Sequence, residues 1–298
     1  MFRRRLAHAL AITLASIAIV GFAALAACAT GFSPRIYSTL LQDNRPHAPF
    51  EIAPGLYSVG SSDIAVFAIR TSEGLILVGA GYESTAPQIL ANLRALGFDP
   101  RDVRILLNTH AHMDHAGGFA ELKRATGAVL YASAQDALLL EAGGRGDFFL
   151  RNAMIYEPVS VDRRIADGER FTLGEVSLTA HLTPGHTKGC TSWSFRSIID
   201  GREVNVLIVC SLSTLAYRLV GNDRYPDIVS DYERTYRVLR ALHCDLFLSD
   251  HAKFFDLERK RRALLAGARS NPFIDPQGCR AFIDREEREF LARLDRQQ

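Results

Sequence analysis

An α/β fold of stacked sheets and helices is what this sequence predicts, and three observations predict it. Short apolar runs alternate with helical periodicities along most of the chain. Those runs repeatedly end in Gly- or Pro-containing turns. One run, Val103–Leu107, opens into Asn108-Thr-His-Ala-His-Met-Asp-His-Ala-Gly-Gly118, a strand-to-helix turn of the kind that carries sites in α/β sheets.

The chain has 298 residues, 48% hydrophobic and 23% charged, which suits one large α/β domain or two small ones. A formal charge of +2 gives no reason to expect nucleic acid, and no internal repeat or low-complexity tract stands out.

Residues 1–28 read as a signal peptide. A basic start, Met1-Phe-Arg-Arg-Arg5, precedes an apolar stretch from Ala9 to Ala27 closed by small residues. Leu25-Ala-Ala-Cys28 has the form of a bacterial lipobox, which would place a lipid anchor at Cys28. Ordinary cleavage nearby and a retained anchor of about 20 residues remain open. All three deliver the domain outside the cytoplasm, and a periplasmic location is expected. Residues 29–49 read as a linker and extended arm with Pro34, Pro46 and Pro49, and the domain as 50–298.

Within the domain, Glu51 to Gly60, Ile64–Arg70 and Leu75–Val78 read as strands. Thr85 to Gly97 reads as a helix with Ile89, Leu90, Leu93 and Leu96 on one face and a Gly stop. After the His-rich turn, Phe119–Gly127 reads as a helix, Ala128–Tyr131 as a strand and Ala134 to Glu141 as a short helix. The Gly-rich stretch Gly143–Leu150 carries Phe148 and Phe149. It either covers a pocket and grips an apolar ligand or packs its aromatics back on the core. Arg170–Leu173 and Val176–Leu182 read as a hairpin, with His181 inside it as a structural histidine. Val204 to Cys210 is a buried strand running into Ser211-Leu-Ser213. Pro226 to His243 is an amphipathic helix, Asp245–His251 a strand, and Leu257–Ala268 and Cys279–Leu294 helices.

The His-rich turn carries the chemistry. His110 and His112, two apart at a strand end, leave on one face. Asp114 and His115 follow at once. Imidazole and carboxylate are zinc ligands, and four donors on one turn exceed what a single tetrahedral ion needs once distant ligands are added. His186, in the turn Thr183-Pro-Gly-His186, and His251, at a strand end, are the candidates for those. Cys190 and Cys210 read as plain buried residues. Cys244 and Cys279 flank the carboxy-terminal part and are open to pairing, worth about 3–4 kcal/mol on a chain-entropy account.

The pattern His110-x-His112-x-Asp114-His115, then His186, then His251, resembles the metallo-beta-lactamase superfamily from about Pro46 to the end. Arg45-Pro-His-Ala-Pro-Phe50, Leu107-Asn-Thr-His-Ala-His112, Ala180-His-Leu-Thr-Pro-Gly-His186, Gly189-Cys-Thr-Ser-Trp193 and Tyr217-Arg-Leu-Val-Gly221 resemble subclass B3. The resemblance implies a four-layer αβ/βα sandwich and two zinc ions, one held by His110, His112 and His186, the other by Asp114, His115 and His251. It implies a hydrolase that opens the ring of a small-molecule beta-lactam by attack of a metal-bound hydroxide, with Asp114 orienting that hydroxide and moving the proton; a monomer is expected, with oligomeric state left open by the sequence. It places Ser211 and Ser213 on the substrate carboxylate and Cys244 with Cys279 in a disulfide. Phe148 and Tyr156 are the residues around which substrate preference is expected to turn. Cys210 should face away if Ser211 faces the metals, because side chains alternate along a strand.

One departure stands out. The family usually carries Asp where this chain has Gly79, and that Asp supports the metal turn. Losing such a partner typically costs about 10–100-fold in metal affinity or activity. Two further readings therefore stay open: another hydrolase of the same fold (a lactonase or thioesterase), and an exported zinc-binding protein with a weakened site.

Overall fold

The computed structural model describes residues 44–298, and its main unit runs from Pro46 to Gln298. The leader, its Cys28 and the arm up to residue 43 lie outside the described residues.

Two sheets face each other. The first has seven strands in sequence order: β1 (Phe50–Ala53), β2 (Leu56–Ser58), β3 (Phe67–Thr71), β4 (Gly74–Val78), β5 (Val103–Leu107), β6 (Val129–Ser133) and β7 (Arg163–Ile165). The second runs β12 (Leu246–Ser249), β11 (Arg202–Val209), β10 (Thr191–Ile199), β9 (Val176–Leu182), β8 (Arg170–Leu173). The helices are α1 (Ala86–Ala95), α2 (Met113–Ala116), α3 (Phe119–Thr126), α4 (Ala134–Glu141), α5 (Ile228–Ala241), α6 (Leu257–Leu265) and α7 (Pro276–Asp295).

Alternation along the strands explains the layering. On β4 and β5, Ile76, Val78, Ile105 and Leu107 join a core with Leu178, Ala180, Trp193 and Val206 of the second sheet. Their neighbours Leu75, Leu77 and Leu106 face the other way, as does Val103 across a register shift between Leu75 and Ile76, against Ile89 and Leu93 of α1 and Phe119 and Leu122 of α3. A strand buried on both faces has no polar side to show, which is why these segments read as continuous apolar runs. On the outer face of the second sheet, Tyr232 and Tyr236 of α5 pack on Phe290 of α7 at 5.1 and 5.8 Å, and Phe247 of β12 on Phe282 at 5.3 Å. The four-layer sandwich is therefore observed.

Several boundaries move. The single strand read over Glu51 to Gly60 is a hairpin, β1 and β2, turned at Pro54-Gly55 with Gly55 at φ +76°. Strands β7 and β10 went unread. The first is three residues long, and the second has Ser and Thr among its residues, although Trp193 and Phe195 are buried in it. The Gly stop of α3 holds: Gly127 sits at φ +72° and donates its N–H to the Lys123 carbonyl. His181 spans its hairpin face as a structural residue, with Nε2 2.7 Å from Ser194 Oγ.

Cys244 and Cys279 form a disulfide, tying the segment before β12 to α7 across 35 residues. On the chain-entropy account the Cys244→Ser/Cys279→Ser pair loses about 4 kcal/mol. Chemical denaturation should find the midpoint lowered with activity per folded molecule retained. An unchanged midpoint would remove the bridge from the stability account.

The reading of Cys190 and Cys210 as unpaired buried residues is corrected: they too are disulfide-bonded, 20 residues apart. Cys210 does not face away from the His-rich turn either; its Sγ lies 3.8 Å from His110 Nδ1. Strand β11 ends at Val209, so the alternation used to orient Cys210 no longer applies there.

Candidate metal centre

The His-rich turn is fixed from both sides. Trp193, fully buried on β10, donates its Nε1–H to the Asn108 carbonyl at 3.0 Å, just ahead of His110. Tyr156, also buried, donates its hydroxyl to the Ala111 carbonyl at 2.8 Å. Beyond the turn the chain lies against residues 80–83, where a Cβ on Gly118 would stand 2.3 Å from the Ala80 carbonyl oxygen, so only glycine fits.

His186 arrives from the β9–β10 loop. Its Nδ1 donates to the Ser213 carbonyl at 2.8 Å, and Tyr217 donates its hydroxyl to the His186 carbonyl at 2.8 Å. That leaves Nε2 free, 3.1 Å from His112 Nδ1. His251 follows β12. Its Nδ1 lies 2.8 Å from Asp63 Oδ2, and its Nε2 is 3.2 Å from His115 Nε2. Asp114 Oδ2 stands 3.2 Å from His115 Nε2 and 3.8 Å from His251 Nε2.

All six sequence-predicted ligands are thus brought together, in the two groups expected. Single donor atoms of His110, His112 and His186 lie within 4.8 Å of one another, as do those of Asp114, His115 and His251. Two imidazole nitrogens about 3 Å apart must share either a proton or a cation, and both groups present such a pair. Burial, reinforced by His115, lowers the His110 pKa to about 4, and burial next to His112 puts His186 well below the ordinary value. Both rings are therefore neutral near pH 7, the form that ligates metal. Burial opposes ionisation of Asp114, but His115 and His251 overcome it and hold the carboxylate well below the usual range. Burial opposes protonation of His112 and His251, but Asp147 and Asp63 raise their pKa; imidazoles with one carboxylate are a donor set that fits zinc.

The outer nitrogens find carboxylates, and sequence reasoning missed all of these. Asp250 Oδ2 lies 3.2 Å from His110 Nδ1 and accepts the Ser211 N–H at 2.8 Å. Asp63 meets His251; although burial raises its pKa, His251 and Lys253 bring it down to about 2. Asp147 approaches His112. Asp136, fully enclosed, accepts from Asn108 Nδ2, Thr187 Oγ1 and the Gly189 N–H, joining the strand before the turn to the His186 loop; burial raises its pKa to about 6. The aspartate preceding His251 was the one signal available, since it sits beside a predicted ligand.

Other expected site residues lie close by. Ser211 is buried and Ser213 half-buried, with their hydroxyls 3.4 Å apart, and Ser213 Oγ is 3.4 Å from His186 Nδ1. Phe148 packs edge-on against Tyr217 and Tyr225 at 4.9 and 5.0 Å, and with Asp147, Arg145 and Lys188 lines a cavity of about 310 Å³.

Comparisons with known proteins agree with this geometry. Residues 60–199 match the metallo-beta-lactamase superfamily. The FEZ-1 metallo-beta-lactamase from Legionella gormanii superposes with a TM-score of 0.83 at 40% identity, covering 85% of this chain and 98% of that one. BJP-1, a subclass B3 metallo-beta-lactamase of Bradyrhizobium japonicum, gives 0.81 at 39% identity, covering 86% and 96%. A hydroxyacylglutathione hydrolase from Rhodospirillum rubrum is 32% identical over 112 residues, 38% of this chain and 36% of that enzyme. The chain thus spans little more than a third of the curated relatives it matches first.

Proposed function

Because the chain belongs to the metallo-beta-lactamase superfamily, we propose that it is a zinc-dependent hydrolase that opens the ring of beta-lactams, penicillins, cephalosporins and carbapenems among them. The observation that carries this is the convergence of six ligand side chains into two groups sharing one turn. We propose one zinc ion for each group. When bound, the ions supply a water acidified toward neutral pH and a positive charge for the nitrogen that leaves as the ring opens.

The chain's own residues divide the remaining work. Asp250 and Asp63 face the outer nitrogens of His110 and His251 and so set which nitrogen points inward. Asp114, ionised at neutral pH, accepts a proton from the attacking water and returns it to the departing nitrogen. Ser211 and Ser213, their hydroxyls 3.4 Å apart beside His186, take the substrate carboxylate in this reading. Phe148, next to the buried Asp147, offers an apolar edge to the acyl side chain. Residues 1–28 support export to the periplasm, by cleavage or through a lipid anchor at Cys28.

The test is hydrolysis of nitrocefin and of a carbapenem by the purified chain, with and without a chelator. Turnover lost on chelation and regained with zinc is the expected result. A chain holding two zinc ions yet inert toward both substrates would sink the reading; a lactone and thioester panel would then test the relatives' chemistry.

A further inference from the structure

Asp147 lies in the Gly-rich loop that carries Phe148 and Phe149, yet it is buried, 5% exposed. Its Oδ1 accepts the backbone N–H groups of Phe149 at 2.8 Å and Leu150 at 2.5 Å, so the carboxylate organises its own loop. Its Oδ2 points at His112 Nε2 from 3.6 Å, longer than a hydrogen bond. That nitrogen is itself buried with no hydrogen-bond partner. The loop is held at a second place: Phe148 and Phe149 pack on Tyr217 at 4.9 and 4.8 Å, and Tyr217 donates to the His186 carbonyl. The aromatic loop therefore faces one histidine of the first group, His112, and reaches a second, His186, through Tyr217.

We propose that Asp147 is the positioning carboxylate of His112, and that through it a cation bound by His110, His112 and His186 orders the aromatic loop. The inference rests on the zinc reading of that group. Its physical basis is the tautomer of one ring. Without a cation, His186 Nε2, 3.1 Å from His112 Nδ1, competes with Asp147 for the ring's hydrogen. A cation on Nδ1 leaves no place there for that hydrogen, and a neutral ring must then carry it on Nε2. With the hydrogen committed to Nε2, the contact with Asp147 becomes a charge-assisted hydrogen bond. The few tenths of an ångström still to close are taken up by a loop with glycines at 143, 144 and 146. By reciprocity, whatever holds the loop in place strengthens the grip on the ion.

The experiment uses the full chain, its Asp147→Ala and Asp147→Asn variants, and zinc alone as the ligand. Competition with a chromophoric chelator reads affinity. Tryptic cleavage after Arg145 and Arg151, both exposed on the loop, reads its order. The Ala variant should bind its first zinc about 10–100-fold more weakly. Zinc should slow wild-type cleavage about ten-fold, within the usual range of coupling between sites, and slow that of the Ala variant hardly at all. The Asn variant, which keeps an acceptor, should recover part of both. Zinc affinity or zinc-dependent protection left at the wild-type level in the Ala variant overturns the inference. Should that variant fail to fold, hydrogen exchange over residues 143–152 of the wild type decides, and exchange unaltered by zinc overturns it. A wild type that takes up no zinc fails differently: it removes the metal reading itself.

Discussion

Asp114→Asn should lower kcat for beta-lactam hydrolysis by about 100- to 10,000-fold, the span usual for losing a positioned proton carrier. Asparagine keeps the shape of the side chain and an oxygen to face His115 and His251, but it cannot take a proton at neutral pH. The wild-type carboxylate can, because those two histidines hold it ionised in spite of its burial. A loss concentrated in kcat, with KM little changed and the zinc content of the first group intact, separates proton transfer from simple damage to the site. Turnover within a factor of about two of wild type, at equal zinc content, would show that another group moves the proton.

Asp250→Ala should weaken zinc binding by about 10–100-fold and destabilise the fold by several kcal/mol. The carboxylate is 2% exposed and faces both His110 Nδ1 and the Ser211 N–H. Its removal leaves buried donors unpaired at about 1–3 kcal/mol each. The same contact answers the concern raised by Gly79. The carboxylate that faces His110 comes from the end of β12, on the opposite sheet. Gly79 sits at φ +85°, a backbone conformation that side chains rarely adopt, although a Cβ there would make only ordinary contact with the Ala65 carbonyl and Val66. Gly79→Asp should therefore add strain of about 1 kcal/mol or more and bring no gain in zinc affinity. Calorimetric zinc titration of the three proteins checks both expectations together. Tighter zinc binding by Gly79→Asp, or an indifferent Asp250→Ala, would restore the glycine as a defect of the site.

The ligands were legible in the sequence because they stand just past strand ends, on the turn and short helix α2 after β5, in the Pro-Gly turn after β9 and after β12, where local pattern marks a backbone reversal and the residue type marks the chemistry. The layering was legible for a related reason: strands buried on both faces write themselves as apolar runs. What escaped was the pairing of groups far apart in the chain. Asp63 meets His251 across 188 residues, and Asp147 reaches His112 from a loop with no periodicity. An aspartate in a loop looks the same whether it faces water or a buried imidazole. The Cys190–Cys210 bridge was hidden likewise, since two cysteines in apolar surroundings pair only if their strands end side by side.

The donors' distribution along the chain also orders events in time. Four sit on one turn, but His112 meets His186 across 74 residues and His115 meets His251 across 136. The turn alone offers a nascent chain an incomplete and weak grip on metal. The full coordination set comes into being only when the second sheet has closed over the first, and contacts so remote in sequence form slowly. The complete donor set is thus a product of the finished fold, a clasp shut by both halves together.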